Sequence, residues 1–240
     1  MRAILMAAGI GSRISRSVNK PKSTMDVDGT PLIVRTVKML TDNGIDVAVI
    51  VGYRQDDIRN ALKEYDVTYY VNPFYRVTNS IASLWFARDF IVGEDIILAN
   101  ADVFWQQDIL DDLLSDRHDA VMLADASRVD RGDYFFYVED GFITKYGKEL
   151  GPEERTTEYV GIAKLDGTFT GEFKKRMEIL IDNERYGLWW ENILYEYIDT
   201  TPVYVRDVSD YFWAEIDYMS DYNRILSYIS TGKVSDKNLN

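Results

Sequence analysis

Short apolar runs alternate with amphipathic stretches through the first 125 residues, and that rhythm leaves few folds open. Residues 2–7, 45–51 and 96–99 are nearly continuous in Ala, Val, Ile, Leu and Met, as strands covered on both faces are. Pro31 opens a helical stretch with Leu32, Ile33, Val37 and Leu40 at helical spacing. Asp42-Asn43-Gly44 ends it, and Gly44 can take the left-handed conformation of a C-cap. Residues 54–65 read as a polar surface helix, 67–71 as a strand, 80–90 as a helix with aromatic faces, and 120–123 as a further strand. Parallel strands need crossovers of this length, so the spacing predicts an α/β fold: a Rossmann-like, mostly parallel mixed sheet flanked by helices.

From about residue 133 the pattern changes. Residues 134–138 and 142–146, joined by Glu139-Asp140-Gly141, read as an antiparallel hairpin, followed by a polar loop over 148–157. A strand over 158–165, helices near 171–183 and 188–197, short strands at 203–205 and 213–216, and a last helix to residue 229 complete the expectation. This makes one domain in two halves (1–125 and 126–230) with a polar tail (231–240).

Composition removes several kinds of function. The chain has 240 residues, with 27 Lys plus Arg against 40 Asp plus Glu, a formal charge of −13. That balance argues against a duplex nucleic-acid partner, whose binding needs a basic face. With no Cys and the single His118, thiolate sites and multi-His metal centres are excluded, and His118, in a polar turn, reads as a surface residue. No apolar run approaches the ~20 residues of a membrane span, and the apolar stretch after Met1 is too short for a secretory leader. A cytoplasmic, soluble protein is expected. Oligomeric state is not readable from the sequence, although its aromatic surface could support a homodimer.

The sharpest local feature is Leu5-Met6-Ala7-Ala8-Gly9-Ile10-Gly11-Ser12-Arg13, followed by Lys20-Pro21-Lys22. Small residues let the backbone approach a ligand, and successive N–H groups can cradle phosphate oxygens. Arg13 and Lys22 would add fixed positive charge. A plain tight turn is the competing reading of two glycines. A dinucleotide fingerprint needs a small residue where Ile14 stands, and a P-loop needs a Gly-Lys-Ser/Thr that is absent. Farther along, Asp102 and Asp217 each end a strand, the edge at which open α/β sheets bind ligands. They suit a Mg²⁺ ion that takes one or two protein carboxylates and completes its shell with phosphate and water. The competing reading is that each caps the following helix. Asn79 and Ser83 share a helical face and could contact a pyrimidine or ribose; an N-cap Asn79 with a packed Ser83 is the alternative. Tyr134, Tyr159, Trp189 and Trp190, with Asp133 and Glu191 beside them, could form a cage for an ammonium group, or simply belong to the core. Adjacent Trp189 and Trp190 point in different directions on a helix, so at most one is expected to face a site.

The glycine loop, the Pro21-Lys22 pair and Asp28-Gly29-Thr30-Pro31-Leu32 together resemble the signature of the nucleotidyltransferase superfamily of sugar-1-phosphate pyrophosphorylases. The insert between loop and Pro-Lys is shorter than in many of those enzymes and lacks their usual Pro-Leu-Thr segment. Asn72-Pro73-Phe74-Tyr75 through Asn79-Ser80-Ile81-Ala82-Ser83-Leu84, with Gly52-Tyr53 before it, is similar to bacterial CTP:phosphocholine cytidylyltransferases and their phosphonate and inositol-phosphate relatives. The resemblance implies a Mg²⁺-dependent transfer of CMP from CTP to a small phosphate or phosphonate, such as phosphocholine or 2-aminoethylphosphonate. It further implies catalytic Arg13 and Lys22, and nucleotide contacts at Leu5, Ala7, Ala8, Gly9, Gly11, Ser12, Gly52, Tyr53, Asn79, Ser83 and Ala101. Metal ligands would be Asp102, Asp217 and Glu215, with Asn100 standing where the family often has a first acid. Asp133, Tyr134, Tyr159, Gly161, Trp189, Trp190 and Glu191 would receive the acceptor. A sugar-1-phosphate uridylyl- or thymidylyltransferase and a non-catalytic nucleotide-binding module remain the alternatives.

Overall fold

The computed structural model describes residues 1–11, 14 and 18–231. Its strands are β1 (Arg2–Ala7), β2 (Asp26–Val27), β3 (Thr30–Pro31), β4 (Asp46–Val51), β5 (Thr68–Val71), β6 (Ile96–Asn100), β7 (Val103–Phe104), β8 (Ala120–Asp125), β9 (Phe135–Glu139), β10 (Phe142–Gly147), β11 (Thr157–Leu165), β12 (Tyr204–Asp207) and β13 (Ala214–Glu215). The helices are α1 (Leu32–Asp42), α2 (Gln55–Ala61), α3 (Ser80–Phe86), α4 (Gln107–Ser115), α5 (Thr170–Asp182), α6 (Asn192–Tyr195) and α7 (Met219–Thr231). Among these residues no helix is long and apolar enough to cross a membrane.

Nine strands form one sheet in the order β5-β4-β1-β6-β11-β8-β12-β10-β9. The strands β5, β4, β1 and β6 of the first half pair in parallel, as their crossovers require. β11 then enters antiparallel between β6 and β8, which welds the two halves of the chain into one sheet. The two-residue period of β1 divides the core: Ala3, Leu5 and Ala7 face one buried cluster, and Ile4 faces the other. α1, α2 and α4 cover the first face through Ile33, Val37, Ile58 and Ile109; α3, α5 and α6 cover the second through Ile81, Leu84, Phe173 and Ile193. α7 packs Ile225 onto a third, smaller cluster with Met25, Phe104 and Phe212.

Three local features differ from the sequence reading. Asp28 and Gly29 both have positive φ (53° and 79°), so β2 and β3 close a two-residue hairpin where no strand was expected. α4 adds a helix between Asp102 and β8. The helix expected over 188–197 shrinks to Asn192–Tyr195; ahead of it the Trp189 N–H donates to the Asn192 side-chain oxygen (3.1 Å) and the Trp190 N–H to the Ser80 hydroxyl (2.9 Å). His118 is exposed as expected, and stacks on Tyr204 with ring centres 3.7 Å apart.

Candidate active site

A cleft of about 590 Å³ opens at the carboxyl ends of β1 and β6. One end is lined by the turn after β1 (Ala8, Gly9, Ile10, Gly11) with Lys22, Asp102, Glu215 and Asp217. The other is lined by aromatic rings and Glu191.

The meeting of Asp102 with Asp217, 115 positions later in the chain, is the work of a two-strand ladder. β13 pairs antiparallel with β7, placing Ala214 opposite Phe104 and Glu215 opposite Val103, and the Ile216 N–H donates to the Asp102 carbonyl at 3.0 Å. The start of α7 is held by Asp221, whose carboxylate accepts from the N–H groups of Asp217 (3.0 Å) and Tyr218 (2.7 Å). The Asp217 carboxylate accepts from the Lys22 ammonium, which also reaches Asp102 Oδ2 at 3.4 Å.

Lys22 arrives there through Gly11. The lysine stem runs so close over the glycine that a Cβ at position 11 would stand 2.8 Å from Lys22 Cγ, and Gly11 also has φ +62°. Glycine is therefore required twice over, for conformation and for clearance.

Burial is the strongest influence on Lys22 and pulls its pKa down, yet Asp102, Asp217 and Glu215 together outweigh it, so the ammonium is held above its ordinary value. Asp102 is raised, first by burial and then by Asp217, with Lys22 opposing. Burial, Asp102 and Asp217 push Glu215 well above the usual carboxylate range. Among the described residues, three acids thus surround one buried lysine. Hard carboxylate oxygens are the donor set that suits Mg²⁺. Among the described residues no three His, Asp or Glu side chains make a ready metal cage. A cation here would accordingly draw on two carboxylates, and on phosphate and water for the rest.

At the other end, Tyr134 meets Trp189 edge-on (5.5 Å, 72°) and stacks on Tyr195 (5.6 Å, 14°), which stacks on Tyr146 (4.6 Å, 21°). Glu191 is buried beneath them and accepts from Asn100 Nδ2 at 3.4 Å. Burial pushes its pKa up to about 7, against the hydrogen bonds it accepts. Between the two ends lies Gly161, at φ +90° in an irregularity of β11. There a Cβ would come within 3.0 Å of Val103 Cγ2 and 3.1 Å of Asn100 Nδ2. Tyr159 and Gly161, two positions apart on the strand, both line the cleft.

Of the residues singled out from sequence, Ala8, Gly9, Gly11, Lys22, Asn79, Ser83, Asp102, Asp133, Tyr134, Tyr159, Gly161, Trp189, Glu191, Glu215 and Asp217 line the cleft. Ala7 and Ala101 line a smaller recess beside Lys22. Ser12 and Arg13 lie outside the described residues. Four others sit elsewhere. Leu5 is fully buried in the sheet core. Gly52 and Tyr53 support the glycine turn from behind: the Tyr53 N–H donates to the Ala8 carbonyl (3.0 Å), and a Cβ on Gly52 would strike that same oxygen at 2.8 Å. Trp190 is wholly buried, its indole N–H donating to Asn100 Oδ1 at 3.1 Å, so Trp189 alone of the pair faces the cleft.

Asn79 and Ser83 line the cleft but already have structural partners. The Asn79 carboxamide caps α3 at the Ser80 N–H (2.8 Å) and donates to the Gly187 carbonyl (3.3 Å). The Ser83 hydroxyl accepts from buried Asn72 (2.9 Å). Lining residues that the sequence reading missed include Tyr75, Lys148 and Tyr195. Tyr195 had a signal, four positions after Glu191 on one helical face; Lys148, in a polar loop, had none.

Comparison with known proteins agrees with this geometry. Residues 3–153 match the model of the MobA-like NTP transferase domain. The chain is 28% identical over 246 residues to the CTP:phosphoglutamine cytidylyltransferase of Campylobacter jejuni, covering 92% of this chain and 97% of that protein. It is 28% identical over 239 residues to the choline-phosphate cytidylyltransferase of Haemophilus influenzae, covering 97% and 99%. Its fold superposes on the CTP:phosphocholine cytidylyltransferase of Streptococcus pneumoniae with a TM-score of 0.75 at 21% identity, over 95% of this chain and 98% of that one. With its glycine turn, buried lysine and paired aspartates at the sheet edge, the chain is a nucleotidyltransferase and belongs to the MobA-like NTP transferase domain family.

Proposed function

We propose that the protein is a Mg²⁺-dependent cytidylyltransferase that transfers CMP from CTP to a small phosphate or phosphonate and releases pyrophosphate. The observation that carries this reading is the buried Lys22 held between Asp102 and Asp217 beside the glycine turn, with an aromatic, acid-lined chamber at the far end of the same cleft. Full-length relatives that act on CTP with small phosphorylated acceptors support the choice of nucleotide.

In the proposed reaction an oxygen of the acceptor phosphate attacks the α-phosphorus of CTP in line. The new O–P bond forms as the bond to the β-phosphate oxygen breaks, and pyrophosphate leaves with that electron pair. The acceptor oxygen is already ionised near neutral pH, so no protein base is required, and catalysis rests on positioning and charge neutralisation. The backbone of residues 8–11 would hold the triphosphate. Lys22 would swing from Asp217 toward the phosphates and meet the charge growing on the leaving group. Asp102 and Asp217 would hold the cation, with Glu215 behind them; Mg²⁺ would supply Lewis-acid polarisation of the α-phosphate. The far chamber would seat the acceptor so that its phosphate faces the α-phosphorus.

The test is pyrophosphate release from CTP, UTP, dTTP and ATP, each with phosphocholine, 2-aminoethylphosphonate, phosphoglutamine, inositol 1-phosphate and glucose 1-phosphate. Turnover confined to CTP with one of the first four acceptors is expected. Turnover only with UTP or dTTP and glucose 1-phosphate would replace this reading with a sugar-nucleotide one.

A further inference from the structure

The chamber at the acceptor end is unlike a simple cage for a trimethylammonium group in two respects. Its best aromatic face is already taken: Lys148 Nζ lies 5.4 Å from the centre of the Trp189 ring, and 3.9 Å from Asp133 Oδ2. Lys148 is itself a lining residue, so the chamber presents a positive charge as well as the negative charges of Asp133 and Glu191. In addition, the hydroxyl of Tyr195 is buried in the wall with no hydrogen-bond partner, although the residue is only 1% exposed. A buried hydroxyl left unpaired costs about 1–3 kcal/mol, and this one, like that of Tyr159, belongs to a residue lining the cleft.

A quaternary ammonium serves neither feature. Its methyl groups donate no hydrogen bond to Tyr195 or Glu191, and its charge would have to compete with the Lys148 ammonium for the Trp189 ring. A nitrogen that still carries hydrogens could donate to both oxygens. A carboxylate on the same molecule would find in Lys148 a donor with further N–H groups to offer.

Resting on the cytidylyltransferase reading, we propose that the acceptor is a zwitterionic phosphate of amino-acid type, and that Lys148 selects it through its carboxylate while Tyr195 and Glu191 receive its N–H-bearing nitrogen. Lys148 is then a specificity residue for the acceptor, with no part in the phosphoryl chemistry.

Three acceptors that differ by one group each provide the test. Phosphoethanolamine gains a carboxylate to become O-phosphoserine and three methyl groups to become phosphocholine. With CTP and the full-length protein, kcat/KM is expected to fall in the order O-phosphoserine, phosphoethanolamine, phosphocholine. Lys148→Ala should lower the ratio of O-phosphoserine to phosphoethanolamine about tenfold, toward one, and Lys148→Arg should restore it. Tyr195→Phe should narrow the gap between phosphoethanolamine and phosphocholine. Phosphocholine as the best wild-type acceptor, or an unchanged ratio in Lys148→Ala, would overturn the inference and leave the CTP reading standing. Pyrophosphate release with UTP or dTTP alone, or with no acceptor in either set, would overturn both.

Discussion

The two ends of the cleft are built on opposite principles. At the phosphate end, the glycine turn and the aspartates follow strands, and the groups are tied to one another: Lys22 to Asp102 and Asp217, Gly11 to the stem of Lys22. At the acceptor end, the rings of Tyr134, Trp189 and Tyr195 come from segments spread over 60 residues and touch mostly one another. A charged network at the sheet edge tolerates little change, because each member compensates the others. A chamber of packed rings can vary ring by ring, which lets one scaffold serve different acceptors.

The sharpest way to break this comparison is to remove charge at the phosphate end. Lys22→Ala and Asp217→Ala should each lower kcat by about 10²–10³-fold, equally for every acceptor, while circular dichroism shows the fold intact. Acceptor-dependent losses would erase the distinction between the two ends.

Next in size is Glu191, which links them through Asn100. Its folded pKa, about 7, lies above the unfolded value near 4.5, so the folded state binds the proton more tightly. The carboxyl is therefore no burden below pH 4.5, becomes destabilising as pH rises toward 7, and stays so above. The swing is about 3 kcal/mol at most. Thermal melts of ligand-free protein should show Glu191→Gln gaining on wild type between pH 5 and pH 8; a constant difference would mean that Glu191 is not buried in this way.

Gly161→Ala at the junction should cost about 1–3 kcal/mol in denaturant unfolding, since alanine meets both a positive φ and a blocked Cβ. Smallest is Trp189→Ala, which should raise the acceptor KM about threefold to tenfold and leave the KM for CTP unchanged. A shift in the CTP value instead would place Trp189 with the nucleotide.

The same contrast governs what could be read from sequence. At the phosphate end the glycine turn and the two aspartates each sit where a strand ends, so their place on a strand stands in for their place in space. Nearness in sequence is not the same shortcut: it fails for Arg2, one of the five cations in the first 22 residues, which hold no acid. β1 carries Arg2 to the opposite end of the sheet, where it pairs with Glu94 and covers Phe90 at 4.8 Å. The acceptor end offers no such shortcut. Trp189 and Trp190 are identical in sequence terms, and only the hydrogen bonds of Trp190 to Ser80 and Asn100 decide which faces inward. Lys148 enters from a polar loop whose course depends on β9, β10 and β11 coming together first. β1, β4 and β6 of the parallel half were legible because they are apolar on both faces. The insertion of β11 between β6 and β8 was not, because pairing partners leave no mark on a single strand.

The central claim is that paired aspartates and Lys22 run CTP chemistry on an acceptor chosen elsewhere in the cleft. Pyrophosphate release from CTP, measured with the acceptor set, in EDTA and after Mg²⁺ is restored, tests it most directly. Release should need both CTP and acceptor, stop in EDTA and return with Mg²⁺. Acceptor-dependent release that persists in EDTA, or that requires UTP or dTTP in place of CTP, would contradict it.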